Sequence, residues 1–457
     1  MSGEAALMRV LAAFAIATAV NTPTAARAQR ASSDVALDSL IRIAIERNAD
    51  LAAANARADA ARNRIAPAGA RPDPMLMLGI VNLPVRKPSL TDDDMTMKVI
   101  GIRQELPYPG KLGLMRKAAG IEARQATLVR DSTRLAVVRG MRTAYYEVAY
   151  IDAAMDIARR THATLLDVAT VAERRYAAGQ GEQQEVIRAT LEATRVNETM
   201  NGLIERRVGV ASTLSAVAGT SVPLNERARL PERLVRMRGV STPDSIRFAT
   251  AELGSRATGA PLLPLADVQQ LAISNNPGIQ ALQLEHELAR TRASLARKER
   301  LPDFDLSVEY GQRSGSSMGR GTGRADMISL TVSMPLQVQQ SSKQRPLIRA
   351  AIAETASTAD AQRAAENMLR ANVTRLYSEA ERNYTLLALY RKALLPQARA
   401  AISAATAAYR SGTGSFVAVL EGQSTVLQLE SGYERALADF AQRLAELEEI
   451  VGAEVVR

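Results

Sequence analysis

The sequence predicts a mainly α-helical chain with a small β part, built twice over from one unit, and three observations carry that prediction. Residue usage is the first: of 457 residues only 5 are Phe and none is Trp, while Ala is plainly the commonest. Such a chain buries area through many small side chains in long elements. Long proline-free spans are the second. From about Lys111 to Ala177 only Gly113, Gly120 and Gly140 interrupt a run of Ala, Leu, Arg and Glu, all good helix formers. At ~1.5 Å per residue that element approaches ~100 Å, too long to bury its apolar side within a globule, so it must lie against partners of similar length. Self-similarity is the third. "LDSLIRIAIERNADLAAANARADAARNRI" (Leu37 to Ile65) aligns with "LADVQQLAISNNPGIQALQLEHELARTRA" (Leu265 to Ala293) at an offset of 228, and "YAAGQGEQQEVIRATLEA" (Tyr176 to Ala193) with "YRSGTGSFVAVLEGQSTV" (Tyr409 to Val426) at 233.

Taken in chain order, the first expected element is a secretory signal over residues 1–28. Arg9 precedes the apolar run Val10 to Val20, Pro23 breaks it, and Ala26-Arg27-Ala28 places small residues where a signal peptidase reads them. A single N-terminal anchor is the alternative, although eleven apolar residues fall short of the ~20 that span a bilayer. Export would end in the periplasm or in an outer membrane entered as β-strands.

A first repeat is expected over 29–217, with strands about 75–84 and 95–106 and long helices about 111–177 and 183–215. A connector rich in Arg, Pro, Gly and Thr follows over 218–262. The second repeat, 263–457, has strands about 303–312 and 325–335 and helices about 346–410 and 416–452. Asp34 or Asp38 is a candidate cap for the first helix, and Asn276-Pro277 a kink in its second-copy counterpart. Alternation is cleanest in copy two, where Phe304, Leu306, Val308 and Tyr310 oppose Asp305, Ser307 and Glu309. An apolar face on so few strands is satisfied by lipid only if several subunits close one barrel, since every edge in a bilayer must be paired. A half-buried soluble sheet satisfies the same pattern; the signal peptide favours the membrane. Between strand and helix, Pro107-Tyr108-Pro109-Gly110 ends ladder donation and sets Pro109 in a first helical turn, with Met334-Pro335 as its shorter counterpart.

Several function classes are disfavoured. The net charge of +10 comes from 58 basic and 48 acidic residues spread along the chain, with no aromatic platform for nucleic acid. There is no Cys, and His162 and His286 stand alone in their segments, so no metal site or cofactor is expected. Walker-type, Gly-x-Ser-x-Gly and His-Glu-x-x-His patterns are missing, and acidic pairs such as Glu448-Glu449 sit on Arg-rich helices as ion-paired faces; the chain is not expected to be an enzyme.

With these segments in hand, the chain resembles the TolC-like outer-membrane efflux factors, including the branch that serves heavy-metal exporters. The resemblance runs over about residues 34–453 and rests on the order and spacing of "LDSLIRIAIERNADL", "RQELPYPGKLGLMRKAAGIEA", "YAAGQGEQQEVIRATLEA" and "YRSGTGSFVAVLEGQ". It implies a homotrimer whose strands form a twelve-stranded outer-membrane β-barrel continued by a long α-helical periplasmic barrel. It also implies docking to a periplasmic adaptor and an inner-membrane pump of the resistance-nodulation-division type, with outer-membrane lipid around the barrel. Pro107, Pro109, Gly110 and Pro335 then mark the barrel-to-helix junction, with Lys111 and Arg116 near headgroups. Tyr176, Gly179 and Gly181, with Tyr409, Gly412 and Gly414, become adaptor-docking tips, against the alternative of ordinary helix-helix loops. Family members often project Asp side chains into the constriction just past each tip, and the matching positions are Glu185, Ala418 and Glu421. The two glutamates are candidates for a cation-attracting ring, unless they face the tunnel exterior. "PYPGKLGL" leans toward metal cargo; a drug duct or a secretion exit shares the same architecture, and a soluble periplasmic coiled coil is the alternative of a different class.

Overall fold

The computed structural model describes residues 24–86, 88–90, 95–223, 227–231, 234, 262–313 and 325–456. Most of the expected signal peptide and most of the expected connector lie outside the described residues. The helices are α1 (Thr24–Arg47), α2 (Ala49–Asn63), α3 (Ile65–Ala68), α4 (Lys111–Ala177), α5 (Gln183–Ala218), α6 (Leu265–Asn275), α7 (Pro277–Lys298), α8 (Arg345–Leu389), α9 (Leu395–Arg410) and α10 (Phe416–Val451). The strands are β1 (Met75–Val81), β2 (Met97–Leu106), β3 (Phe304–Arg313) and β4 (Met327–Ser333).

Asp34 and Asp38 both fall inside α1 rather than capping its start. The break comes at Asn48, which the offset of 228 aligns with Asn276. Asn276 caps α7 by accepting the Ile279 N–H at 3.0 Å, with Pro277 in the first turn, where its missing donor is harmless. Asn48 instead donates its side-chain amide to the Val217 carbonyl at 2.9 Å. The expected uninterrupted helix over 346–410 differs too. Two π-turns, Gln340–Gln344 and Tyr390–Leu394, precede α8 and α9. Pro396 explains the second, because a proline within a helix removes one ladder bond and crowds the carbonyl four residues back, which a widened turn relieves.

The chain packs as two compact units, and neither is one sequence repeat. One unit is Asp50–Thr133 with Ile273–Arg370; the other is Met1–Ala49, Arg134–Ala272 and Ala371–Arg457. Each therefore draws corresponding stretches from both repeats, joined in the first by the β2–β3 ladder and in the second by mixed clusters such as Ala172 and Ala189 with Tyr409, Phe416 and Val419.

The first unit holds the sheet, antiparallel throughout, in the order β1-β2-β3-β4. The β2–β3 pairing, from Met97↔Arg313 to Leu106↔Phe304, joins the repeats. Register places Leu76, Ile102, Val308 and Leu330 in one row and Leu78, Ile100, Tyr310 and Ile328 in the next row of the same face. These side chains are exposed; Leu78 is 71%, Leu330 70% and Ile328 76% accessible. The opposite face carries Arg103, Ser307 and Thr331, then Glu309 and Ser329. Past the strand ends, α4 is tied to α7 by Arg124–Glu287 (2.9 Å) and Arg292–Glu122 (2.7 Å), around buried Ile121, Leu288 and Ala293.

The second unit is helical. Its core includes Met141, Val148, Ile151, Leu376, Leu437 and Leu447, with the Tyr384 and Phe440 rings 5.7 Å apart. Asp152, buried, accepts from Arg207 Nε at 2.7 Å and from the Ala228 N–H at 2.8 Å, so a charge out of water has both a countercharge and a backbone donor. Among the described residues no helix is long and apolar enough to cross a membrane.

Candidate functional site

Two places collect the site residues expected from sequence: the turns that close the long hairpins, in the helical unit, and the strand-to-helix turns, in the sheet unit.

The hairpin turns share one backbone solution. After α4, Gly179 adopts φ +71°; its N–H donates to the Tyr176 carbonyl at 2.9 Å and that of Gln180 to the Arg175 carbonyl at 2.8 Å. After α9, Gly412 adopts φ +80°, its N–H reaching the Tyr409 carbonyl at 3.1 Å and that of Thr413 the Ala408 carbonyl at 3.0 Å. Both are left-handed helix C-caps that satisfy otherwise orphaned carbonyls. A Cβ at either glycine meets open space, so conformation alone demands glycine there. Gly181 and Gly414 serve differently: a Cβ at Gly414 would stand 2.7 Å from Ala408 Cβ and from the Tyr409 nitrogen, whereas one at Gly181 meets its nearest neighbours at 3.2–3.3 Å.

The tyrosines diverge. Tyr176 is 48% exposed; Tyr409 is 3% exposed, in a cluster with Ala172, Ala189, Phe416 and Val419. Expected at a docking surface, Tyr409 is instead part of the packing, its ring 5.3 Å from that of Phe416. Arg175 of the first turn reaches over it, with the guanidinium 4.5 Å above the ring and Nη1 donating to the Tyr409 carbonyl at 2.6 Å. The Tyr409 hydroxyl donates to Glu185 Oε2 at 2.8 Å. Burial first, and that hydrogen bond second, push the phenol up to about 12. Glu185, half-buried, thus has an intramolecular partner. Glu421 lies exposed on α10, as does Ala418. Among the described residues no hydrogen bond joins Glu185 to Glu421, so within one subunit they do not form a carboxylate pair. Arg175 and Phe416 were not anticipated from sequence.

At the junction, Gly110 takes φ +88° between Pro109 and the start of α4. Lys111, expected near headgroups, is buried within the subunit, with its Nζ donating to Asp303 Oδ1 at 2.8 Å and to the Leu301 carbonyl at 2.9 Å. Asp303 Oδ1 also accepts the Tyr108 N–H at 2.6 Å, so the countercharge of the buried ammonium is itself held by the backbone of the junction. Lys298 donates to the Pro109 carbonyl at 3.1 Å beside the Tyr108 ring. Pro107 is half-buried, Pro109 and Arg116 are exposed, and Pro335 is exposed two residues past the end of β4. The latch of Lys111, Asp303 and Lys298 is a second feature that sequence reading missed. Among the described residues there is no group of three His, Asp or Glu placed to hold a metal.

This fold is that of outer-membrane channels. Similar structures include the outer-membrane protein VceC from Vibrio cholerae (TM-score 0.70, 19% identity, over 92% of this chain and 97% of that one). The open state of the Neisseria gonorrhoeae MtrE outer-membrane channel is also similar (TM-score 0.70, 18% identity, 92% and 90%). So is CusC, studied for folding and transmembrane channel formation (TM-score 0.72, 13% identity, 91% and 92%). Among curated proteins no sequence match is found. The family model described as outer membrane efflux protein matches residues 40–220 and 268–453, and the chain belongs to that family, one of channels and not of enzymes.

Proposed function

We propose that the chain is the outer-membrane channel of a tripartite efflux system, passively conducting heavy-metal cations from a periplasmic adaptor and an inner-membrane pump of the resistance-nodulation-division type to the exterior. The single observation that carries the channel reading is the sheet. Two full rows of Leu, Ile, Val and Tyr stand exposed on one face while the other face is mixed and polar, and β1 and β4 each have one neighbour among the described residues. An apolar face with open edges suits lipid only when copies complete the barrel, which supports a trimer of twelve strands. Channels of this family generally assemble as trimers and work with an adaptor and a pump. The glycine turns are the proposed contact with the adaptor, with Tyr176 on the displayed side and Tyr409 as internal support.

Metal cargo is supported by the "PYPGKLGL" segment, Pro107 to Leu114. On this reading Glu421 faces the constriction, and Glu185 joins it when released by Tyr409; six carboxylates in a trimer would attract cations without selecting among them. Deleting the gene and comparing sensitivity to cobalt, zinc, cadmium, copper and hydrophobic antibiotics tests the cargo. Metal sensitivity is the expected outcome; a drug-only phenotype would transfer the chain to the drug ducts.

A further inference from the structure

Where the sheet meets the helices, charge is distributed very unevenly. Register brings all four strand-to-helix junctions to one end of the sheet, since Leu106 pairs with Phe304, Asp305 with both Glu105 and Ser333, and Met75 with Arg103. The junctions also touch: Gln104 Nε2 donates to the Pro72 carbonyl at 2.6 Å, Lys298 to that of Pro109 and Gln337 to that of Glu299 at 3.0 Å. Over residues 69–74, 107–117, 297–303 and 334–349 the chain carries ten Lys or Arg and three Asp or Glu. Lys111 neutralises one of those three, Asp303. Arg116, Arg300 and Arg345 are exposed and, among the described residues, form no ion pair.

We propose that this end of the sheet is a binding belt for anionic phospholipid headgroups, phosphatidylglycerol above all, with Arg116, Arg300 and Arg345 facing the phosphates. The proposal rests on the outer-membrane reading and adds to it a lipid chemistry. Two adjoining surfaces carry it. The apolar rows end at the junction, and the basic residues begin there, within about 8 Å along α4 in the case of Arg116, a distance on the scale of one headgroup layer. A diacyl lipid presents those two chemistries in that order, acyl chain and then phosphate. Nucleic acid or an acidic protein has no use for the apolar rows. Basic clusters beside a membrane-embedded surface attract anionic lipid, whereas a zwitterionic headgroup has no net charge to answer them. Tyr108 stands at the boundary, half-buried, as interfacial aromatics do.

The test is lipid retention by the full-length protein purified in detergent. Wild type is incubated with equal phosphatidylglycerol and phosphatidylcholine, and protein-bound lipid is counted by native mass spectrometry. We expect about tenfold preference for phosphatidylglycerol. It should fall to parity in Arg116→Gln, Arg300→Gln, Arg345→Gln, and stay intact in the helical-unit control Arg174→Gln, Arg188→Gln, Arg195→Gln. Should the first triple variant fail to assemble, wild type alone decides: high salt must abolish the preference. Equal retention by wild type, a preference that survives in the assembled junction variant, or one indifferent to salt would each overturn the proposal. So would full displacement by inorganic phosphate, which would show an anion site with no call on lipid. Channel conductance measured in pure phosphatidylcholine reports on the channel reading alone, so failure of the belt and failure of the channel are distinguishable.

Discussion

The turns at Tyr176–Gly181 and Tyr409–Gly414 began as copies and no longer have the same task. Both keep a tyrosine, a left-handed glycine three residues on and a second glycine two further. In the first the tyrosine is exposed and the neighbouring side chains reach outward: Arg175 and Glu185 both grip the other turn. In the second the tyrosine is the thing gripped, sandwiched by Phe416 and Arg175. Backbone geometry is thus what the duplication preserved, because a helix reversal has few solutions. Side-chain duty was free to divide, one turn offering surface and the other supplying the brace.

The sharpest way to break that contrast is to truncate the tyrosines. Tyr409→Ala should destabilise the hairpin pair by about 3 kcal/mol, as buried aromatics do, and Tyr176→Ala by no more than about 0.5 kcal/mol. Hydrogen exchange at α5 and α10 reads the difference, and equal effects would remove the asymmetry. The second glycines come next. Gly414→Ala pushes a methyl onto backbone that cannot yield, costing on the order of 1–3 kcal/mol, while Gly181→Ala needs only a few tenths of an ångström of give. Thermal melts of the two variants should rank in that order.

Removing only the hydroxyl is milder. Tyr409→Phe should cost about 1 kcal/mol, since Glu185 is half-buried and water can replace the lost donor. A double-mutant cycle with Glu185→Gln checks it; strict additivity would mean the bond contributes nothing. A further contrast lies in alkali. The phenol ionises near 12 in the fold against 10.0 ordinarily, so the folded state prefers it protonated. Its contribution is complete below pH 10 and is lost as pH rises from 10 to 12. Wild type should therefore lose helix stability over that interval more steeply than Tyr409→Phe; identical profiles would contradict the brace.

What the sequence revealed follows the range of the interaction. The alternation of Phe304, Leu306, Val308 and Tyr310 and the proline-free run after Gly110 are local signals, and β3 and α4 form there. The glycine turns were equally readable. The fate of Tyr409 was not, although a clue was present: the offset of 233 sets apolar Phe416 where the first copy has Gln183, and that ring gives Tyr409 something to pack on. The π-turn at Tyr390–Leu394 also had its signal, in Pro396. Lys111 had none nearby, because its partner Asp303 lies 192 residues away and only the β2–β3 pairing brings them together.

A water-filled conduit through a membrane is what a planar bilayer reads most directly. The full-length protein, purified in detergent, is added to a planar lipid bilayer under a voltage ramp and the current recorded. A channel of this kind should insert in uniform conductance steps, prefer cations over anions, and lose part of that preference in Glu185→Gln, Glu421→Gln. An assembled protein that yields no discrete steps in any lipid would contradict the account.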